Sequence, residues 1–318
     1  MTAALALLGY AIAVAWCAPA LLAPLTGSGA SARPALAAWL SAMAGAVLAA
    51  VLAAALIVHT ATGDLPTLAQ VLCRGVAGTA CTPQMYRSAL YSAGMAILAA
   101  VVTVAALAAL WRYGRRARRA GTKTRLHARA VLLAGRELAG TGAVVLDDPR
   151  PVAYCVAGRP AAIVVSSGAL AVLDEQQLAA VLAHERAHLA GRHHLLATVT
   201  RGLAATFPGV PLFIRGSDEA ARLSEMVADD KAARSVGRHA LVAALLSIAT
   251  GSAVAGSSVL VTTPIPHGGL AAAGCAVPAG VERLLRPPGS GTAAMLGLAL
   301  TLVSAVFILL PAALAAVS

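Results

Sequence analysis

"VLAHERAHLAGRHH", residues Val181 to His194, sets His184, Glu185 and His188 close together in a chain whose composition otherwise suits lipid. On a helix, His184 and His188 stand at i and i+4, so both imidazoles leave the same face about one turn apart and can share one metal ion. Glu185 then lies beside the ion without being a ligand, where it can take a proton from a bound water. Local signals predict that helix. In "LDEQQLAAVLAHERAHLAGRHH", Asp174 can cap its start, and Gln177 three residues later completes a capping box. Leu178, Val181, Leu182 and Leu189 supply an apolar side.

Catalytic zinc keeps three protein ligands and one open position. Downstream, "RLSEMVADDKAAR" offers Glu225 and Asp229, again i and i+4 on an expected helix. One carboxylate can bind the metal while the other accepts the remaining N–H of a ligand histidine and fixes its tautomer. His193 and His194 compete for the third position. A metzincin arrangement needs a glycine and a third histidine at fixed spacing; Gly191 is present, but His194 stands six residues past His188 and no downstream Met-turn is evident. Glu225 is therefore the favoured third ligand.

The rest of the chain is built for a bilayer. Of its 318 residues 59% are hydrophobic and 12% charged, and the mean hydropathy is +0.80, far from a typical soluble domain. Crossing a hydrocarbon core takes about 20 helical residues. Apolar runs of that length lie at 3–22, 35–58 and 89–111, with a fourth at 293–317 inside a C-terminal segment 291–318. The first run lacks a basic n-region and is read as a retained helix, not a signal peptide. Nine Lys and Arg fall between Arg112 and Arg136, with no interleaved stacking aromatics. That density after a span marks the cytoplasmic side and an affinity for anionic headgroups, and argues against a nucleic-acid partner. Residues 112–140 are accordingly expected as a basic cytoplasmic segment and 59–88 as an external loop, with the N-terminus outside. Cys73 and Cys81 are the close cysteine pair, and both fall in that loop, where a disulfide is permitted. Cys17, Cys155 and Cys275 are isolated and read as small buried side chains.

Between the basic segment and the metal motif, β-rich pieces at 143–146, 152–156 and 161–166 are separated by the turn formers "DDPRP" and "AGRP", which predicts a small antiparallel sheet. Residues 161–166 are a candidate edge on which an extended substrate could add. After the motif, "LLATVTRGLAATFPGVPLF" reads as a helix and turn resting on the membrane. In "ALVAALLSIATGSAVAGSSVLV" the first half reads as a core helix. The expected fold class is mainly α: a polytopic membrane protein carrying an α+β zincin-like catalytic domain over 141–290.

"HERAH" followed by "EMVAD" and preceded by a sheet and "SSGALAVLDEQQLAAVLAHE" resembles the membrane-embedded gluzincin metallopeptidases, over roughly residues 140 to 290. These include the HtpX-like and CAAX prenyl endopeptidases and the beta-lactam sensor-transducer peptidases. The resemblance implies one Zn2+ per chain on His184, His188 and Glu225, with Glu185 as general base and Asp229 behind a ligand histidine. It further implies a protein or peptide substrate that is membrane-associated or cytoplasmic, a cytoplasmic repressor among them. Three spans ahead of the catalytic domain and one after look most like the sensor-transducer group, although the chain ends at Ser318 with no room for an extracellular penicillin-binding sensor. "PHGGLAAAGCAVPAGVERLLRPP" resembles the tail of such domains, which makes His239, His267 and Arg283 candidate substrate or transition-state contacts. The expected function is a membrane-bound zinc endopeptidase in regulatory signalling or membrane-protein quality control. The rival is a signalling receptor or structural membrane protein whose zinc domain relays a conformational change without proteolysis. Glu185 weighs against the rival, since a structural site has no use for a base and closes its fourth position with protein.

Overall fold

A computed structural model describes residues 2–76, 83–157, 161–255, 277–286 and 289–316. Among the described residues four helices are long and apolar enough to cross a membrane, which makes the chain a multi-pass membrane protein. They lie in α1 (Thr2–Thr26), α2 (Ala32–Val76), α3 (Pro83–Ala134) and, at the end of the chain, Ser290–Ala316. The helices outrun the apolar stretches that announce them. The candidate span in α2 reaches Thr62 but the helix continues to Val76, and α3 begins at Pro83, so helix occupies much of 59–88. Hydropathy limits what lies in lipid, whereas chain breakers limit the helix. The 52 residues of α3 reach about 78 Å at 1.5 Å per residue, far more than a hydrocarbon core of about 30 Å. Its arginine-rich C-terminal half therefore projects out of the bilayer.

Four strands follow: β1 (Arg136–Leu138), β2 (Ala143–Leu146), β3 (Ala153–Val156) and β4 (Ala162–Ser166). Their order is β1-β2-β4-β3. β4 pairs parallel with β2 and antiparallel with β3, so the sheet is mixed where the turn formers had pointed to an antiparallel one. The turn residues reveal where the chain reverses but not that β4 inserts between its two predecessors. β1, with the sequence Arg-Glu-Leu, is too short and too charged to show a period-2 pattern. The expected substrate edge at 161–166 is corrected by the same topology: β4 is buried along its whole length and paired on both sides. Among the described residues the outer strands are β1 and β3.

The remaining helices are α4 (Ser167–Val172), α5 (Glu175–Ala190), α6 (His193–Thr206), α7 (Pro211–Val236), α8 (Arg238–Ala255), α9 (Val277–Leu285) and α10 (Ser290–Ala316). The capping box on α5 is present in full: Asp174 Oδ1 accepts from the Gln177 amide at 2.8 Å and Gln177 Oε1 from the Asp174 amide at 3.3 Å. One core packs β4, α5 and α8 together through Val165, Val181, Leu182, Leu241 and Leu245. A second joins the membrane helices to α7 through Leu22, Trp39, Met43, Leu212 and Leu223. α7 is common ground, facing α5 and α8 on one side and α1 and α2 on the other. Cys17 is exposed on α1, not buried as expected, and Cys155 on β3 is half-buried. Cys73, Cys81, His267 and Cys275, and with them the expected disulfide, lie outside the described residues or side chains.

Close helix contact in the membrane part rests on small residues. At Gly45 of α2 a Cβ would run into the Phe307 carbonyl of α10, whose oxygen also accepts from the Tyr10 hydroxyl of α1 at 2.9 Å. Gly45→Ala should destabilise the protein by about 1–3 kcal/mol, read as a lower melting temperature in detergent. Gly94→Ala, on α3 with open space at its Cβ position, should cause no fall.

Candidate active site

α5 turns three ionisable side chains inward: His184, Glu185 and His188 are 1%, 0% and 4% exposed. Such groups are buried only with partners. α7 crosses this face and supplies them for the two histidines. Glu225 Oε2 stands 3.5 Å from His184 Nε2 and 3.4 Å from His188 Nε2, and the two Nε2 atoms are 2.9 Å apart. Among the described residues these three form the one group of His, Cys, Asp and Glu able to hold a metal ion. Tetrahedral zinc with bonds of about 2.0–2.1 Å spaces its donors about 3.3 Å apart, so the triangle fits such an ion with small adjustments. Behind His184, Asp229 Oδ1 lies 3.0 Å from Nδ1, a charge contact more than an aligned hydrogen bond. Glu225 keeps 36% of its side chain exposed, which leaves the site open on that side.

The charges are arranged for a cation. Burial works against a charged His184, but Asp229 and Glu225 outweigh it and hold the pKa up to about 10. Burial also opposes the Glu225 carboxylate, and the two imidazoles overcome this and bring it down to about 2. Metal binding replaces the proton shared among these groups. For Glu185 burial wins, pushing its pKa up against the pull of His184 and His188. Neither Glu185 oxygen has a hydrogen-bond partner. A buried carboxylate without protein partners is in place to meet something the protein does not supply. The Cys155 thiol of β3 stands close to Glu185; burial and the carboxylate charge push its pKa well above the usual thiol range, and no well-aligned hydrogen bond joins the two. Nothing in the spacing of Cys155 marks it as a neighbour of the site, since a strand outside the motif carries it there.

The competing histidines fall elsewhere. His193 packs behind His188, Nδ1 to Nδ1 at 2.9 Å, on the side of the ring away from the triad. It is 6% exposed, and burial and the neighbouring His188 lower its pKa to about 4. His194 makes no contact with the three ligands, and its buried Nδ1 has no hydrogen-bond partner. His239 is exposed at the start of α8. Arg283 points not at the metal triad but at α7 and the α1–α2 turn, donating to Asp230 Oδ1 at 2.8 Å, the Met226 carbonyl at 3.0 Å and the Gly29 carbonyl at 3.4 Å. Arg222 does likewise with the Thr26 carbonyl at 2.9 Å. The sequence gives no sign of these two clamps, because they join segments almost 200 residues apart or more. A cavity of about 620 Å³ lies between α2 and α3, lined by Ala54, Val58, His59 and Leu110 among others. It belongs to the apolar membrane part and touches none of the triad.

Residues 115–229 match the model of Peptidase family M48. The chain is also similar to proteins called "Protease HtpX homolog". One from Acidiphilium cryptum (strain JF-5) is 41% identical over 80 residues, 24% of this chain and 28% of that protein. Another from Burkholderia thailandensis is 30% identical over 89 residues, 26% of this chain and 31% of that protein. The chain thus matches under a third of the length of these curated relatives. No solved structure matches it significantly. The matched segment ends on Asp229, just past Glu225, so the stretch that resembles Peptidase family M48 holds all three residues able to bind a metal ion, His184, His188 and Glu225.

Proposed function

We propose that the chain is a zinc endopeptidase of the membrane surface, cutting peptide bonds in membrane-associated or cytoplasmic proteins. The observation that carries this reading is Glu185: fully buried, unpartnered at both oxygens, and adjacent in sequence to a metal ligand. Held by His184, His188 and Glu225, Zn2+ would supply an acidified water and polarise a carbonyl. Glu185 is placed to take the proton of that water and to return it to the leaving amine. β3, an outer strand of the sheet among the described residues and carrying Cys155 beside Glu185, offers the strand along which an extended substrate would pair.

The arginines of α3 support a cytoplasmic catalytic domain. Arg112, Arg115, Arg116, Arg118, Arg119, Arg125 and Arg129 are exposed along one continuous helix that leaves a membrane span, which is the arrangement the positive-inside rule associates with the cytoplasm. A soluble repressor approaching the membrane is one substrate class this siting would admit. The relay reading has one observation in its favour, the packing of α7 against both the membrane helices and the metal ligands. It gives Glu185 no task.

Two experiments test the proposal. Glu185→Gln should keep one zinc per chain while turnover of a casein-type substrate falls by about 10²-fold or more. Glu225→Ala should lose both metal and activity, and Asp229→Ala should weaken zinc by about 10- to 100-fold, read by elemental analysis and chelator competition. Full zinc stoichiometry in Glu225→Ala would remove it as a ligand. Reporter fusions near Gly121 should be cytoplasmic; an external signal there would place the peptidase domain outside the cell.

A further inference from the structure

We infer that His193 is a positioning residue for the metal site, accepting at its Nδ1 the hydrogen bond that fixes His188. The inference rests on the zinc-site reading above and adds to it a part for a residue outside the triad. His188 turns Nε2 toward His184 and Glu225. A neutral imidazole that ligates through Nε2 carries its proton on Nδ1, and that proton needs an acceptor to hold the ring and its tautomer. His184 has the Asp229 carboxylate 3.0 Å from its Nδ1. Among the described residues His188 has no carboxylate paired with its Nδ1; the atom 2.9 Å from it is His193 Nδ1. Two facing ring nitrogens cannot both bear a proton. With His188 as donor, His193 accepts at Nδ1 and carries its own proton on Nε2. The rings meet edge to face, 88° apart, and both are buried, so no water competes along that line.

The turn between α5 and α6 is shaped to deliver this ring. Arg192 adopts φ 50, ψ 36, a left-handed conformation that costs a side-chain-bearing residue backbone energy. It swings the chain so that His193, the first residue of α6, points back at the last turn of α5. Gly191 has φ −77 and ψ −6, a conformation any residue adopts, so its backbone does not call for glycine. Its need is steric: a Cβ there would collide with His193 Nε2 and come within 2.6 Å of Cδ2. The missing side chain at 191 is the space the His193 ring occupies.

The test is zinc affinity of the full chain in detergent, measured with Zn2+ against a competing chelator for wild type, His193→Asn, His193→Leu and Gly191→Ala. Asn carries an acceptor oxygen near the position of the imidazole Nδ1, and Leu has nearly the same shape without it. His193→Leu and Gly191→Ala should weaken zinc by about 10- to 100-fold, while His193→Asn should stay near wild type. Should the Leu variant fail to fold, the contrast between His193→Asn and Gly191→Ala carries the same meaning. Zinc held as tightly by His193→Leu as by wild type overturns the inference. So does an Asn variant as weak as the Leu variant, since filling the space would then matter and accepting a proton would not. A wild-type chain that takes up no zinc at all removes the zinc-site reading first, and this inference with it.

Discussion

The candidate metal site depends on the meeting of α5 and α7. α5 buries two imidazoles and a carboxylate, an arrangement that a protein core tolerates only when charge is answered by charge. α7 answers with Glu225 between the two Nε2 atoms and Asp229 behind one of them. Neither helix can shift by a turn without leaving ionisable groups buried and unpaired. The metal that fits the triangle adds its own charge to the same balance.

α7 also ties this chemistry to the membrane part. Three residues before Glu225, Arg222 holds the end of α1 by the Thr26 carbonyl; one residue after it, the Met226 carbonyl receives Arg283, which reaches on to Gly29. The opposite face of α7 is packed on Trp39 and Met43 of α2. Gly216 allows that approach, since a Cβ there would press on the Met43 sulfur. Glu225, the third candidate metal ligand, is therefore borne by a helix whose position is set jointly by the core around α5 and by the membrane helices.

Much of the site could be read from the sequence because its parts obey short-range rules. The i, i+4 spacing of His184 and His188, the capping box at Asp174 and the Glu225–Asp229 pair each depend on a helix and nothing more distant. Four spans were legible for the same reason, being runs of one character. What escaped depends on how remote segments pair. The insertion of β4 between β2 and β3 made β3, not 161–166, an outer strand and brought Cys155 to Glu185. Arg283 could be read as a candidate contact for the substrate, but its bracing of α7 against the α1–α2 turn could not. His193 was recognised as chemically able to join the site, but its side of His188 is decided by one left-handed residue, Arg192, that no local pattern announces.

The central claim is that a zinc ion sits among two imidazoles and a carboxylate, with light atoms alone around it. Zinc-edge X-ray absorption of the purified full-length chain tests this most directly. The account predicts one zinc per chain with two imidazole nitrogens and oxygen ligands at about 2.0–2.2 Å. A sulfur scatterer at about 2.3 Å, which Cys155 beside Glu185 could supply, or a protein purified without zinc and unable to take it up, would contradict it.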